Sequence, residues 1–174
     1  LIESMTGGTP IAAKINAALG KVAEEFRIPM GVGSQRAAID DPKLAYTFRA
    51  ARENAPSAPI FGNLGCPQIT REDGIDRAKA AVEMIKADGL FVHLNAVQEA
   101  VQPEGQTRFK GALGRIRELA SALSVPVVVK ETGAGISQEV AISIEQTGAK
   151  GINIAGLGGT SWAAVEYHRA REKN

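Results

Sequence analysis

An α/β fold built on parallel strands is what this 174-residue sequence predicts, and three observations carry the expectation. Short apolar runs recur about every 25 to 35 residues: Leu1-Ile2, Ile28 to Val32, Pro59 to Phe61, Leu90 to Leu94, Val125 to Val129 and Ile152 to Ala155. Each run is followed by small or polar residues, and each polar stretch gives way to a segment of helical periodicity. Such alternation favours a parallel sheet covered by helices, because parallel neighbours need a long crossover.

The first run leads through Ser4-Met5-Thr6-Gly7-Gly8 to a helix whose expected buried face is Ile11, Ile15, Leu19, Val22 and Phe26. The second ends in Gly31-Val32-Gly33-Ser34-Gln35-Arg36, and Asp41-Pro42 signals a helix start beyond it. After the third, which ends in Gly62-Asn63-Leu64-Gly65, Thr70 with Asp73 announces a helix carrying Ile75, Ala78, Val82 and Ile85 on one face. The fourth, Gly89-Leu90-Phe91-Val92, is too apolar to face water. Its polar continuation, His93 to Thr107, is expected to line a cavity, and the stripe Phe109, Leu113, Ile116, Ala120 and Leu123 follows. The fifth delivers Lys130-Glu131-Thr132-Gly133, with Ser137 opening the next helix and Gly148 closing it. The sixth ends in Gly156-Leu157-Gly158-Gly159-Thr160-Ser161-Trp162, with Trp162 expected to pack in the core.

Polar residues follow almost every strand, whereas a doubly wound sheet gathers its site at one switch point. The expected architecture is therefore an incomplete (β/α)8 TIM barrel with about six of its eight strand-helix units. Residues 1–174 read as one partial domain, truncated at both ends.

Twenty basic and nineteen acidic residues leave a net charge of +1, and no dense Lys/Arg stripe occurs. That balance argues against nucleic acid or a membrane as partner and favours a small molecule. The single cysteine, Cys66, excludes an intrachain disulfide framework; beside Pro67 and without a paired histidine it is expected to be structural. A reducing, cytoplasmic compartment follows, since no run approaches the roughly 18 apolar residues of a membrane span and the N-terminus is not a signal peptide.

At the strand ends, glycines let backbone amides approach a flat ring or a phosphate, while Thr6, Ser34 and Asn63 can hydrogen-bond it. Arg36 suits an anion, or alternatively a surface salt bridge to Asp40 or Asp41. Lys130 sits where a buried strand meets its loop, a costly place unless an anion or a neighbour such as Glu131 pairs with it. His93, Asn95 and Gln98 can bind a polar substrate, and Glu99 offers a hard oxygen for magnesium. Glu104, before Gly105, is read as shaping a turn.

Taken in order, S-M-T-G-G, G-V-G-S-Q-R, G-N-L-G, H-L-N-x-x-Q-E-x-x-Q-P-E-G, V-K-E-x-G and G-L-G-G-T-S-W resemble the type 2 isopentenyl-diphosphate isomerases over nearly the whole chain. The resemblance implies an FMN-binding barrel that interconverts isopentenyl and dimethylallyl diphosphate with magnesium, the flavin being kept reduced by NAD(P)H. It implies flavin contacts from Ser4, Met5, Thr6, Ser34, Asn63, Lys130 and Thr160. Substrate contacts would come from Ser34, Gln35, Arg36, His93, Asn95 and Gln98, with Gln98 orienting, and Glu99 would hold the metal. It also implies a homo-oligomer, a tetramer or larger, for the full-length protein. The family's basic N-terminal segment and its last two strand units, with their phosphate loops, have no counterpart in these residues. The chain alone is accordingly expected to bind FMN weakly and to be inactive. Three other readings stand beside this one: an FMN-dependent oxidoreductase of the 2-hydroxyacid oxidase or dehydrogenase kind, an aldolase using Lys130 as a Schiff base, and a barrel fragment without enzymatic function.

Overall fold

Strands and helices alternate along the chain, as the apolar periodicity predicts. The computed structural model describes residues 1–172. Among them are α1 (Pro10–Phe26), β1 (Met30–Gly31), α2 (Arg36–Asp40), α3 (Tyr46–Asn54), β2 (Ile60–Gly65), α4 (Cys66–Ile69), α5 (Gly74–Ile85) and β3 (Gly89–Leu94). The second half continues with α6 (Ala96–Val101), α7 (Ala112–Ala122), β4 (Val127–Glu131), α8 (Gln138–Glu145), β5 (Gly151–Asn153) and α9 (Trp162–Glu172). No helix among the described residues is long and apolar enough to cross a membrane.

The five strands form one parallel sheet in the order β1-β2-β3-β4-β5. Its register sets Gly65 opposite His93, His93 opposite Lys130 and Lys130 opposite Asn153. Side chains alternate between the faces of a strand. Leu64, Leu90, Val92, Val127 and Val129 consequently face the helices and pack with Ile69, Ala78, Ile116, Leu119 and Ile144 in a buried core. The other face carries Phe61, Asn63, Phe91, His93 and Lys130, with the two phenylalanine rings stacked 4.6 Å apart. This face is concave: Asn153 on edge strand β5 donates to Glu3, which lies next to the opposite edge, at 2.6 Å.

The expected six-unit (β/α)8 barrel is not what forms. Leu1-Ile2 makes only an isolated bridge, Ile2 to Met30, held by Ile2 N to Pro29 O at 2.8 Å and Gly31 N to Ile2 O at 2.9 Å. That single bridge does not extend into a ladder, and five strands curve into a half-barrel with open edges.

Helix boundaries follow local chemistry. Thr9 Oγ1 accepts from Ala12 N at 3.2 Å ahead of Pro10, and Ser137 Oγ accepts from Val140 N at 3.4 Å, both capping orphan N–H groups. Asp41 Oδ1 accepts from Lys43 N at 3.1 Å, but this opens a single 3-10 turn, Pro42–Leu44. Thr70 closes α4 instead of opening α5: its hydroxyl donates to the carbonyls of Cys66 and Pro67, and α5 begins at Gly74 behind Asp73. At the amino ends of the strands, Arg52 donates to the carbonyls of Ile85, Ala55, Ala58 and Lys86 and pairs with Asp88, tying α3 to the entries of β2 and β3.

Of the face expected to be buried on helix α1, only Leu19 packs against the core, and it is partly buried. Ile11, Ile15, Val22 and Phe26 are 68%, 42%, 39% and 64% exposed, while Ala12, Asn16, Gly20 and Ala23 are buried. The small residues let α1 approach α3 closely: a Cβ on Gly20 would lie 2.6 Å from the Ala51 carbonyl oxygen. Asn16 adds to this by donating to the carbonyls of Thr47 at 2.9 Å and Thr6 at 3.2 Å. Gly20→Val is therefore expected to destabilise the chain by roughly 1–3 kcal/mol in urea unfolding, whereas Ile15→Ala, on the exposed stripe, should change stability by less than about 0.5 kcal/mol.

Candidate functional site

The carboxyl ends of the strands converge on a cavity of about 230 Å³. Ser34 and Arg36 after β1, Asn63 on β2, His93 on β3 and Lys130 on β4 all border it. So do Asn95, Gln98 and Glu99 around the start of α6, and Ser4 and Met5 from the N-terminal segment. A second cavity of about 550 Å³ adjoins it, sharing Ser4, Met5 and Lys130 and adding Glu3, Asn153 and Thr160.

Two expected contacts lie elsewhere. Gln35 is fully buried: its Nε2 donates to Ala81 O at 2.9 Å and its Oε1 accepts from Asn63 N at 2.9 Å. Its amide is thus engaged between β2 and α5, because leaving it unpaired in the core would be costly. Thr6 does not border either cavity; its carbonyl accepts from Gly33 N at 3.0 Å and anchors the N-terminal segment along β1.

The Asn63 amide sets the state of His93. Asn63 Nδ2 donates to Val32 O at 3.1 Å, which turns Oδ1 toward His93 Nδ1, 2.8 Å away. An amide oxygen only accepts, so Nδ1 carries the proton and Nε2 is left as an acceptor. Burial, with the positive charges of Lys130 and Arg36, pushes the His93 pKa down to about 3. The imidazole is neutral at physiological pH.

Arg36 makes no ion pair among the described residues. Its expected surface partners are taken: Asp40 pairs with Arg77 at 2.8 Å and Asp41 caps the 3-10 turn. A guanidinium left without a counter-ion on a cavity wall is a ready anion contact. Lys130 is buried and donates to the carbonyl of Glu131 at 3.0 Å, not to its carboxylate. Burial lowers the Lys130 pKa, and the carboxylates of Glu3 and Glu131 oppose that shift.

Around α6, Asn95 Nδ2 donates to Glu99 Oε1 at 3.0 Å and to Gln98 Oε1 at 3.3 Å. Gln98 Nε2 reaches Glu166 at 3.5 Å, so its amide is oriented from both ends. Glu99 is buried and also accepts from Gln106 N at 2.6 Å. The glycine of Q-P-E-G has a steric reason: a Cβ on Gly105 would fall 1.8 Å from the Glu99 carbonyl oxygen. Glu104 pairs with Arg169 at 2.6 Å, away from the cavity walls. Three buried polar atoms have no partner in the described structure: Asn95 Oδ1, Ser4 Oγ and Glu3 Oε2.

The polar lining of the two cavities is not a metal cage. Glu3, Ser4 and Lys130 line the larger cavity, while Ser4 Oγ and Glu3 Oε2 are themselves buried without a partner among the described residues. No group of three His, Cys, Asp or Glu side chains that could hold a metal occurs among the described residues. Glu99 can supply one oxygen, which suits magnesium only if ligand oxygens and water complete the shell.

Sequence reasoning missed several wall residues. Trp162, expected in the core, is 38% exposed and borders both cavities. Gln68, Gln102 and Thr132 also line the smaller one; Gln102 opens the Q-P-E-G motif and Gln68 follows the G-N-L-G strand tip by three residues, which are the only signals the sequence carried. Cys66 is structural as expected, fully buried, with its thiol pushed up to about 12 by burial.

Fold and site together define an α/β protein with a ligand site at the carboxyl ends of parallel strands. A solved structure titled QR15, an aldolase, shares the fold at a TM-score of 0.57 and 17% identity, over 97% of this chain and 73% of that one. A chain from Burkholderia cenocepacia matches at a TM-score of 0.51 and 16% identity, over 98% of this chain and 59% of that one. No family model matches the sequence. Curated proteins named isopentenyl-diphosphate delta-isomerase do: that of Methanosarcina barkeri is 54% identical over 172 residues, and that of Ignicoccus hospitalis 48% over 173. The protein of that name from Synechocystis is 49% identical over 173 residues. Each alignment covers 99% of this chain and 47–49% of the relative, so the chain spans about half the length of the relatives it matches.

The depressed pKa of His93 has a stability consequence. Between its ordinary value of 6.5 and about 3, the unfolded chain takes up a proton that the folded chain refuses. Stability is thus expected to fall as pH is lowered through that window. Thermal melts of His93→Gln should lose that part of the slope.

Proposed function

We propose that this chain supplies the substrate and cofactor walls of an isopentenyl-diphosphate isomerase that works with reduced FMN and magnesium. The observation that carries the reading is Arg36, without an ion pair among the described residues, in one cavity with neutral His93, oriented Gln98 and buried Glu99, in a chain about half identical to proteins named for that isomerisation. Reduced flavin, when bound and kept reduced by NAD(P)H, supplies the proton donor and acceptor that a double-bond shift requires.

Arg36 and Ser34 bind the diphosphate, and Glu99 gives one oxygen to the magnesium that neutralises it. His93 stays neutral and accepts through Nε2, which spares the cavity a further buried charge beside Lys130 and Glu99. Asn95 aligns Gln98 and Glu99 through its Nδ2 group. Gln98 orients the alkenyl group, since an amide is a poor acid or base near neutral pH. Met5 and Trp162 give the five-carbon tail an apolar wall that excludes water. Ser4, Lys130 and Thr160 border the larger cavity and hold the flavin ring, with Asn63 acting through His93. Full-length assemblies are proposed to be homo-oligomers.

A competing reading makes Lys130 a Schiff-base amine, favoured by the burial that lowers its pKa. Borohydride trapping of Lys130 with a carbonyl substrate would support it.

The test replaces the matching 172 residues of the Methanosarcina barkeri relative with this chain. The chimera is expected to convert isopentenyl to dimethylallyl diphosphate with FMN, NADPH and magnesium; a folded, flavin-loaded chimera without that activity overturns the proposal. Within it, Arg36→Ala should raise the substrate KM about tenfold or more, the loss of one charge-assisted contact. Purified alone, the 174-residue chain is expected to be colourless and inactive, and a stoichiometrically yellow preparation contradicts this.

A further inference from the structure

Glu3 follows the first apolar run directly, yet its carboxylate crosses the concave face to the far edge of the sheet. Asn153 Nδ2 donates to Glu3 Oε1 at 2.6 Å, and Glu3 Oε2 is buried with no hydrogen-bond partner among the described residues. Strand register sets Asn153 beside Lys130. The Lys130 ammonium has three N–H groups, of which the Glu131 carbonyl takes one. A half-buried acid with one buried, unpartnered oxygen and a buried amine with further donors therefore share one wall of the larger cavity.

The other charged or titratable groups around Lys130 are committed or of the wrong sign. The Glu131 carboxylate accepts from Thr132 N and Ala134 N, both at 2.7 Å, and so serves its own turn. His93, opposite Lys130 on β3, is neutral, and Arg36 across the smaller cavity is a cation. Glu99, on the wall of the smaller cavity, accepts from Asn95 Nδ2 and Gln106 N. Glu131 keeps its charge beside Lys130, and Glu3 is the neighbouring carboxylate with an oxygen unpartnered among the described residues.

We propose that Glu3 is the counter-charge of Lys130, a positioning residue that the Asn153 amide aims so that the lysine meets the cavity as an ammonium. The assignment rests on the packing at the strand tips and not on the isomerase reading. It decides which chemistry the lysine offers. An ammonium donates hydrogen bonds to a ring carbonyl or an anion, whereas a neutral amine is a nucleophile that condenses with carbonyl compounds. Burial drives Lys130 toward the amine, and a nearby carboxylate holds it back.

The experiment is competitive acetylation with acetic anhydride across a pH series, read by peptide mass spectrometry. Glu3→Gln keeps the shape and the acceptor for Asn153 but removes the charge. At pH 7 it is expected to make Lys130 about tenfold more reactive and to shift its profile to lower pH, one pKa unit being one decade of free amine. Exposed Lys14 and Lys79 should react as in the unmodified chain. Asn153→Ala, which keeps the charge and loses its aim, should shift Lys130 the same way by less. A Lys130 profile that stays in place, or moves to higher pH, overturns the proposal; if Glu3→Gln does not fold, Asn153→Ala decides by the same criterion. Because no flavin or diphosphate enters this measurement, its failure leaves the isomerase proposal standing, and an inactive chimera leaves this one standing.

Discussion

The parallel register of the sheet is the constraint on which the rest depends. It allots Leu64, Val92 and Val129 to the helix-covered face and Asn63, His93 and Lys130 to the concave one. A slip of one residue in any strand would exchange the two sets, burying a lysine or a histidine among leucines and exposing valines in their place. Packing of the apolar face therefore enforces the arrangement of the polar one. Core and site are two faces of the same pairing.

Upon that frame, amides do most of the positioning. Gln35 and Asn63 link the ends of β1, β2 and β3 and hand a defined tautomer to His93. Asn95 does the same for Gln98 and Glu99, and Asn153 for Glu3. Carboxamides suit this task because they donate and accept at once without adding charge to a buried region. Arg36, Lys130, Glu3 and Glu99 put both signs of charge within one pair of cavities.

Much of this was readable from periodicity and residue type. Five of the six apolar runs are strands, α5 buries Ala78 and Ile85 as its stripe predicted, and Ser137 and Gly148 bound α8. The polar strand ends do meet. The misreadings share a cause: a linear pattern gives the period of a face but not its partner. In α1 two stripes have helical spacing, and the small one is buried because Ala51 comes close enough to exclude any side chain at Gly20. Gln35 reads as a ligand contact beside Ser34 and Arg36, yet the turn rotates it into the core. Trp162 reads as core by size and stands at a cavity wall by position.

By itself, then, the sequence determined the alternation of elements, the parallel pairing and the set of polar residues at the strand tips, all of which follow from local apolar period and turn chemistry. Only the tertiary structure decided that five strands and not six are paired, that α1 turns its small residues inward, that Asn63 fixes the proton on His93, and that Glu3, beside β1, meets Asn153 on the opposite edge strand. Each of those depends on distances between segments far apart in the chain, about 30 residues for Asn63 and His93 and about 150 for Glu3 and Asn153. Curvature of the sheet sets such distances, and no local pattern encodes it.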